Sequence, residues 1–432
     1  MKLEKISESM IKTLIKRTIL TLLISTILGY LLLVAAYAIP TPRIRDNVRN
    51  SIGQYEGVTT NPEWSQGYKY TMLDDYTDAT FILANAIYPA AEDDSNPFLN
   101  AAIVPHHDYK GVNNDAVMEL TDYEGESFIF NYVRYWHGYL VPLKPLLFLM
   151  SLNSVRILNF LFELIMIAVI MQLAVCKTGN MRLGIALTGA LAVLNPVSCA
   201  MNFQYAAVMN VTLLALLTVL LFGDRIDVKK DAPIFFLLVG IIVVYVDFLT
   251  YPIVSFLMPL LTYMILRKKE LLTSAKEGIL AVITYLAFWG VGYVGMWGLK
   301  WVVGTVFSGG KENALAEGLE QVIYRSGNGE VHYGFFETVL ANFRMLFIVP
   351  VLMVLMIAII AAVVVAIKNR RRIKVNAAVV STLLFAGLIP FVWYFGAREH
   401  SMDHAYFTFR NLAGTMMAVV LAILETIIPI EN

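Results

Sequence analysis

Long apolar runs alternate with polar stretches along the 432 residues of the chain. Runs of about 17 residues or more are long enough to cross the hydrocarbon core of a bilayer as helix. On that basis the pattern predicts about ten transmembrane helices, at residues 18–39, 152–175, 182–200, 205–222, 232–249, 250–266, 278–303, 345–367, 375–395 and 411–429. The stretch YLVPLKPLLFLM at 139–150 is apolar but carries two prolines and is too short to cross, which predicts an interfacial helix. Polar sequence collects in a large loop at 40–138, a second at 304–344 and a short one at 396–410. The expected architecture is all-α and polytopic, a single integral-membrane domain over 1–432 with a mixed, partly helical first loop. The start MKLEKISESMIKTLIKRTIL resembles the basic region of a signal peptide, but the run behind it is long enough to span, so a retained first helix is expected.

Composition agrees. Hydrophobic residues make up 58% and charged residues 15% of the chain, with a mean hydropathy of +0.65, against about 25% charged in soluble domains. Thirty-three basic and 33 acidic side chains cancel, which argues against a nucleic-acid partner. The placement of charge sets the expected orientation. Lys2, Lys5, Lys12, Lys16, Arg17, Lys177, Arg182 and the segments GDRIDVKKD, RKKE and KNRRRIK share one side, which the positive-inside rule makes cytoplasmic, with both termini. The large loops and all six histidines, His106, His107, His137, His332, His400 and His404, then lie outside the cell. Cys176 and Cys199 fall near opposite ends of one helical hairpin, about 30 Å apart by helical rise, and are expected to be free thiols. Chemistry is therefore expected on the extracytoplasmic side. Without ATP there, a transferase needs a substrate activated elsewhere, such as a lipid-linked donor.

Four constellations could carry such chemistry. In LDDYTDATFILANA, Asp74 and Asp78 are four apart and share a helical face, with Asp75 turned away. One of them could act as general base, or the group could hold Mg²⁺ or Mn²⁺; the plain alternative is an acidic helix start with Thr71 or Asp74 as a cap. In NYVRYWHGYLVPLKP, Arg134, Trp136, His137 and Tyr139 could stack on a sugar or isoprenoid and contact a phosphate, or simply anchor the chain at the headgroups. In VDFLTYP, Asp247 is an ionisable group at membrane depth, functional or bonded into the turn before Pro252. The loop WYFGAREHSMDHAYFTFRNL gathers Arg398, His400, His404 and Arg410, the donors a phosphate at the bilayer surface requires. His400, Asp403 and His404 have a spacing that permits a metal, but no HExxH glutamate accompanies them.

MLDDYTDATF, RYWHGYLVPLKPLL, VDFLTYP, WGVGYVGMWGLKW and REHSMDHAYFTFR, together with the cytoplasmic start, the large first outer loop and about ten spans, resemble bacterial integral-membrane glycosyltransferases of the GT-C superfamily, of a Gram-positive type. The resemblance implies a bacterial cell-membrane enzyme that takes a sugar from a polyprenyl-phosphate-linked donor. Its acceptor would be a cell-envelope glycan or polymer, whose hydroxyl displaces the lipid phosphate with inversion. Carried over by position, Asp74 would be the general base, with Asp75 its rival and Asp78 in support. Arg398, His400, His404 or Arg410 would hold the leaving phosphate, near Arg134 and His137. Adjacent aspartates replace the separated acidic pair of other members, which leaves metal dependence open. A polysaccharide polymerase or ligase is the rival enzyme. A lipid or solute transporter is the rival outside catalysis, disfavoured because polar residues gather at the outer ends and no half-repeat is visible.

Overall fold

The computed structural model describes residues 8–55, 60–90, 93, 95–121, 123–328, 332–369 and 375–427. The expected basic ends Lys2 and Lys5 and most of KNRRRIK lie outside them. The protein is an all-α polytopic membrane protein. Among the described residues, six helices are long and apolar enough to cross a membrane: Glu8–Tyr37, Leu152–Thr178, Phe203–Phe222, Ala275–Phe307, Ala377–Gly396 and Ala405–Thr426. Arg182–Leu194, Ala232–Val246 and Ile253–Leu266 are apolar but shorter, and Val349–Asn369 covers the expected eighth run.

Local chemistry explains the shortening. Asn195 adopts a left-handed conformation (φ 54°) that ends Arg182–Leu194, and its side chain accepts from Ser198 N to start Pro196–Met201, so the run at 182–200 is broken. Asp247 likewise accepts from Thr250 N at 3.1 Å, Leu249 has φ 65°, and Pro252 follows, which turns the chain between Ala232–Val246 and Ile253–Leu266. Leu152–Thr178 is framed by a Ser151 cap and a left-handed Gly179.

Helices Ala232–Val246 and Ala275–Phe307 pack closely along their lengths. A Cβ on Gly240 would strike the Trp289 carbonyl, and one on Gly292 would strike that of Leu237, so glycine on both sides lets the backbones touch. Glu8–Tyr37 leaves Ile15, Ile19, Leu23 and Ile27 uncovered, as a helix bathed in lipid does.

The first long loop is a small mixed layer over one end of the bundle. Its strands Pro105–Tyr109 and Ser127–Asn131 pair antiparallel, from Pro105 opposite Asn131 to Tyr109 opposite Ser127. Helix Leu140–Leu149 forms where an interfacial helix was expected. It packs against Thr41–Arg49 and the first helix, and buries Lys144, whose Nζ donates to the Ala86 and Tyr88 carbonyls. The second loop forms helices Ala314–Ile323 and Phe335–Leu346. Asn131 donates to Glu312 (2.8 Å), Arg134 pairs with Glu317 (2.6 Å), and Trp297 and Trp301 both donate to the Arg134 carbonyl, so the two loops are tied together.

Candidate functional site

A cavity of about 220 Å³ opens at the loop-bearing end of the bundle. Chain segments far apart in sequence converge on it: Asp74, Phe81, Tyr132, Gln204, Phe248, Arg325, His404 and Tyr406 are among its walls.

Asp74 caps the short helix Asp75–Thr77 and lines the cavity at once. Its Oδ1 accepts from Thr77 N (3.0 Å), and its Oδ2 accepts from Thr77 Oγ1 (2.9 Å) and Tyr406 Oη (3.2 Å). Burial raises the carboxyl above its ordinary value, while the bonds from Thr77, Tyr406 and Asn61 pull the other way. The cap and the candidate base, alternatives in the sequence, are one residue.

The other two aspartates face elsewhere. Asp78 is fully buried and accepts from Phe203 N (3.0 Å) and Gln204 N (3.1 Å), the first amides of helix Phe203–Phe222, with Arg156 at 3.5 Å. A carboxylate at a helix N-terminus beside a guanidinium is a clamp, and this one holds Gln204 in the cavity wall. Burial still pushes its carboxyl up to about 7. Asp75 feels Arg156 and Asp74, and burial lifts it to about 6; it does not line the cavity.

His400 and His404, stacked 4.6 Å apart, also line the cavity. His400 Nε2 donates to the Leu249 carbonyl (2.8 Å) and His404 Nδ1 to the His400 carbonyl (3.2 Å), because a carbonyl can only accept. That fixes the His404 tautomer and leaves Nε2 with a lone pair. Burial lowers both imidazoles below their ordinary value, so they rest neutral. The permanent cation among the described lining residues is Arg325, in the second loop, which donates to Tyr135 Oη and lies 5.6 Å over the Tyr135 ring. Gln204 adds a buried Oε1 with no hydrogen-bond partner. Phe81, Tyr132 and Phe248 form an aromatic wall, with Tyr132 and Phe248 stacked at 6.1 Å.

Of the residues singled out from sequence, Asp74, His400, Asp403 and His404 thus meet in one cavity; the other candidate site residues do not line it. Arg410 is fully buried, donates to the Leu194 and Tyr406 carbonyls and lies 4.2 Å over the Tyr205 ring. Arg398, one residue before Glu399, is outside the lining. Arg134 is spent on Glu317 and on the face of Tyr132. Trp136 donates to the Met296 carbonyl (2.7 Å), and His137 sits between Tyr139 Oη (2.9 Å) and the Tyr132 carbonyl (3.1 Å). Asp247 holds the turn that presents the Leu249 carbonyl to His400. Arg325 lies in a polar loop with no period or motif, and only its expected side of the membrane pointed to it. Among the described residues no group of three or more His, Cys, Asp or Glu could hold a metal ion. Both cysteines are free, Cys176 exposed and Cys199 buried.

No protein-family model matches the chain, and no curated protein or solved structure matches it.

Proposed function

We propose that the protein is a membrane glycosyltransferase of the GT-C kind, transferring a sugar from a polyprenyl-phosphate donor to a cell-envelope glycan with inversion. In this reading the chain crosses a bacterial cell membrane ten times with both termini in the cytoplasm, and the cavity faces outward. The observation that carries the reading is the meeting of a buried carboxylate, a guanidinium and a neutral imidazole in one aromatic-walled cavity at the ends of membrane helices.

Each group has a task. The acceptor hydroxyl attacks the anomeric carbon as its proton passes to Asp74, while the bond from that carbon to the phosphate oxygen breaks and the electron pair leaves with the phosphate. Arg325 meets the charge that grows on the leaving group, more strongly in the transition state than before it. His404 offers a lone pair while neutral; an anion bound beside it favours its protonated form, which then donates. Gln204 and the aromatic wall fit a sugar's hydroxyls and apolar face.

The test is transfer of labelled sugar by purified protein in nanodiscs. Asp74→Asn, which keeps a good cap, is expected to lower the rate by roughly 10²–10⁴ with an unchanged unfolding temperature. Unchanged transfer by that variant would remove Asp74 from the chemistry.

A further inference from the structure

The second loop carries two apolar faces that nothing in the described protein covers. On Ala314–Ile323, Leu315, Leu319 and Ile323 recur at helical spacing on one exposed face. On Phe335–Leu346, Phe336 is 82% exposed and shares an open stripe with Leu340 and Phe347. The opposite faces are anchored. Gly318 lies against the Trp301 indole, and Asn342 donates to the Ser401 carbonyl (2.8 Å) while accepting from Thr408 (2.8 Å). With 10 and 12 residues, the helices are about 15 and 18 Å long, too short to cross a bilayer.

We infer that these two helices lie in the outer-leaflet interface, with their apolar faces sunk about 5–10 Å among the lipid chains. Continuity identifies the occupant. Phe335, beside Phe336 (ring centroids 5.2 Å), contacts Phe395 (6.1 Å), an exposed residue at the end of the candidate span Ala377–Gly396, so the open stripe of Phe335–Leu346 runs on from an exposed face of that span. Ala314–Ile323 packs through Ala314 and Gly318 against Gly304 and Trp301 at the end of Ala275–Phe307, a candidate span whose Val302 and Val306 are exposed. Leu140–Leu149 makes the contrast: its inner face, Leu140, Leu143 and Leu147, is buried against protein. Tyr324 and Arg325 follow Ile323 directly into the cavity wall, so an anion carried on a lipid reaches Arg325 from the side of the bilayer.

The inference concerns the bilayer and does not depend on glycosyl transfer. Its test uses the full chain with Cys176→Ser, and a single cysteine introduced as Leu319→Cys or Phe336→Cys and labelled with an environment-sensitive fluorophore. Lys110→Cys, at a side chain 64% exposed on the first loop, is the aqueous control. Single copies are placed in phosphatidylcholine–phosphatidylglycerol nanodiscs with nitroxide on the upper acyl chain, or with iodide in the buffer. The expected result is blue-shifted emission at 319 and 336, quenched by nitroxide lipid and spared by iodide, with the reverse at 110. Iodide quenching at 319 and 336 equal to that at 110 would overturn the inference. Protection from both quenchers would show a protein cover and overturn it as well.

Discussion

Asp74 is both an N-cap and a wall of the cavity, and burial raises its carboxyl while Tyr406 and Thr77 favour its charged form. A base must be ionised to accept a proton, so kcat/KM should rise with pH along an acid limb lying above the ordinary carboxylate value. Tyr406→Phe removes a donor to the charged form and should move that limb to higher pH; a pH–rate profile that does not move would contradict the role given to Tyr406. Arg325→Ala should weaken binding of a polyprenyl phosphate by about 1.5–3 kcal/mol, roughly tenfold to a hundredfold, read by titration in nanodiscs. Because His404 rests neutral, anion binding should take up a proton near neutral pH, and His404→Gln should abolish that uptake in calorimetry across buffers of different ionisation enthalpy. The sequence made Asp74, His400 and His404 legible because polar groups flanking apolar runs stand out. Arg325 did not stand out, since an arginine in a polar loop has no pattern to break. Arg410 stands outside the lining: its Nε and Nη1 donate to the Leu194 and Tyr406 carbonyls and its guanidinium lies over Tyr205, while its buried Nη2 has no hydrogen-bond partner.

Among elements, the motif LDDYTD divides its labour: Asp74 faces the cavity, while Asp78 secures the start of Phe203–Phe222 with Arg156. Asp78→Ala removes the acceptor of two helix amides and the carboxylate beside a largely buried guanidinium that keeps Gln54 and Tyr55, at a cost of about 3 kcal/mol in thermal unfolding. Adding Arg156→Met should recover part of that loss. The apolar runs located the helices because length and hydropathy are local properties. The breaks at Asn195 and at Asp247–Pro252 were only partly legible, since a polar residue in an apolar run reads equally as a site or as a turn. In the fold both are turns, and the second serves the site by presenting the Leu249 carbonyl to His400.

For the whole molecule, loops more than 170 residues apart in sequence are tied by Asn131–Glu312 and Arg134–Glu317, and both loops contribute walls to the cavity. Such pairings are invisible to a reading that runs along the chain, which is why the class of architecture could be read in advance and the composition of the cavity could not. The account rests on a lipid-phosphate sugar donor reacting there. The most direct measurement follows a donor labelled in both sugar and lipid phosphate, with wild-type protein in nanodiscs beside Asp74→Asn and Arg325→Ala. The prediction is release of free lipid phosphate matched by sugar on the acceptor, lost in Asp74→Asn and sharply reduced in Arg325→Ala. Intact donor after prolonged incubation, together with its movement across liposomes containing the same protein, would contradict the account and make the protein a transporter.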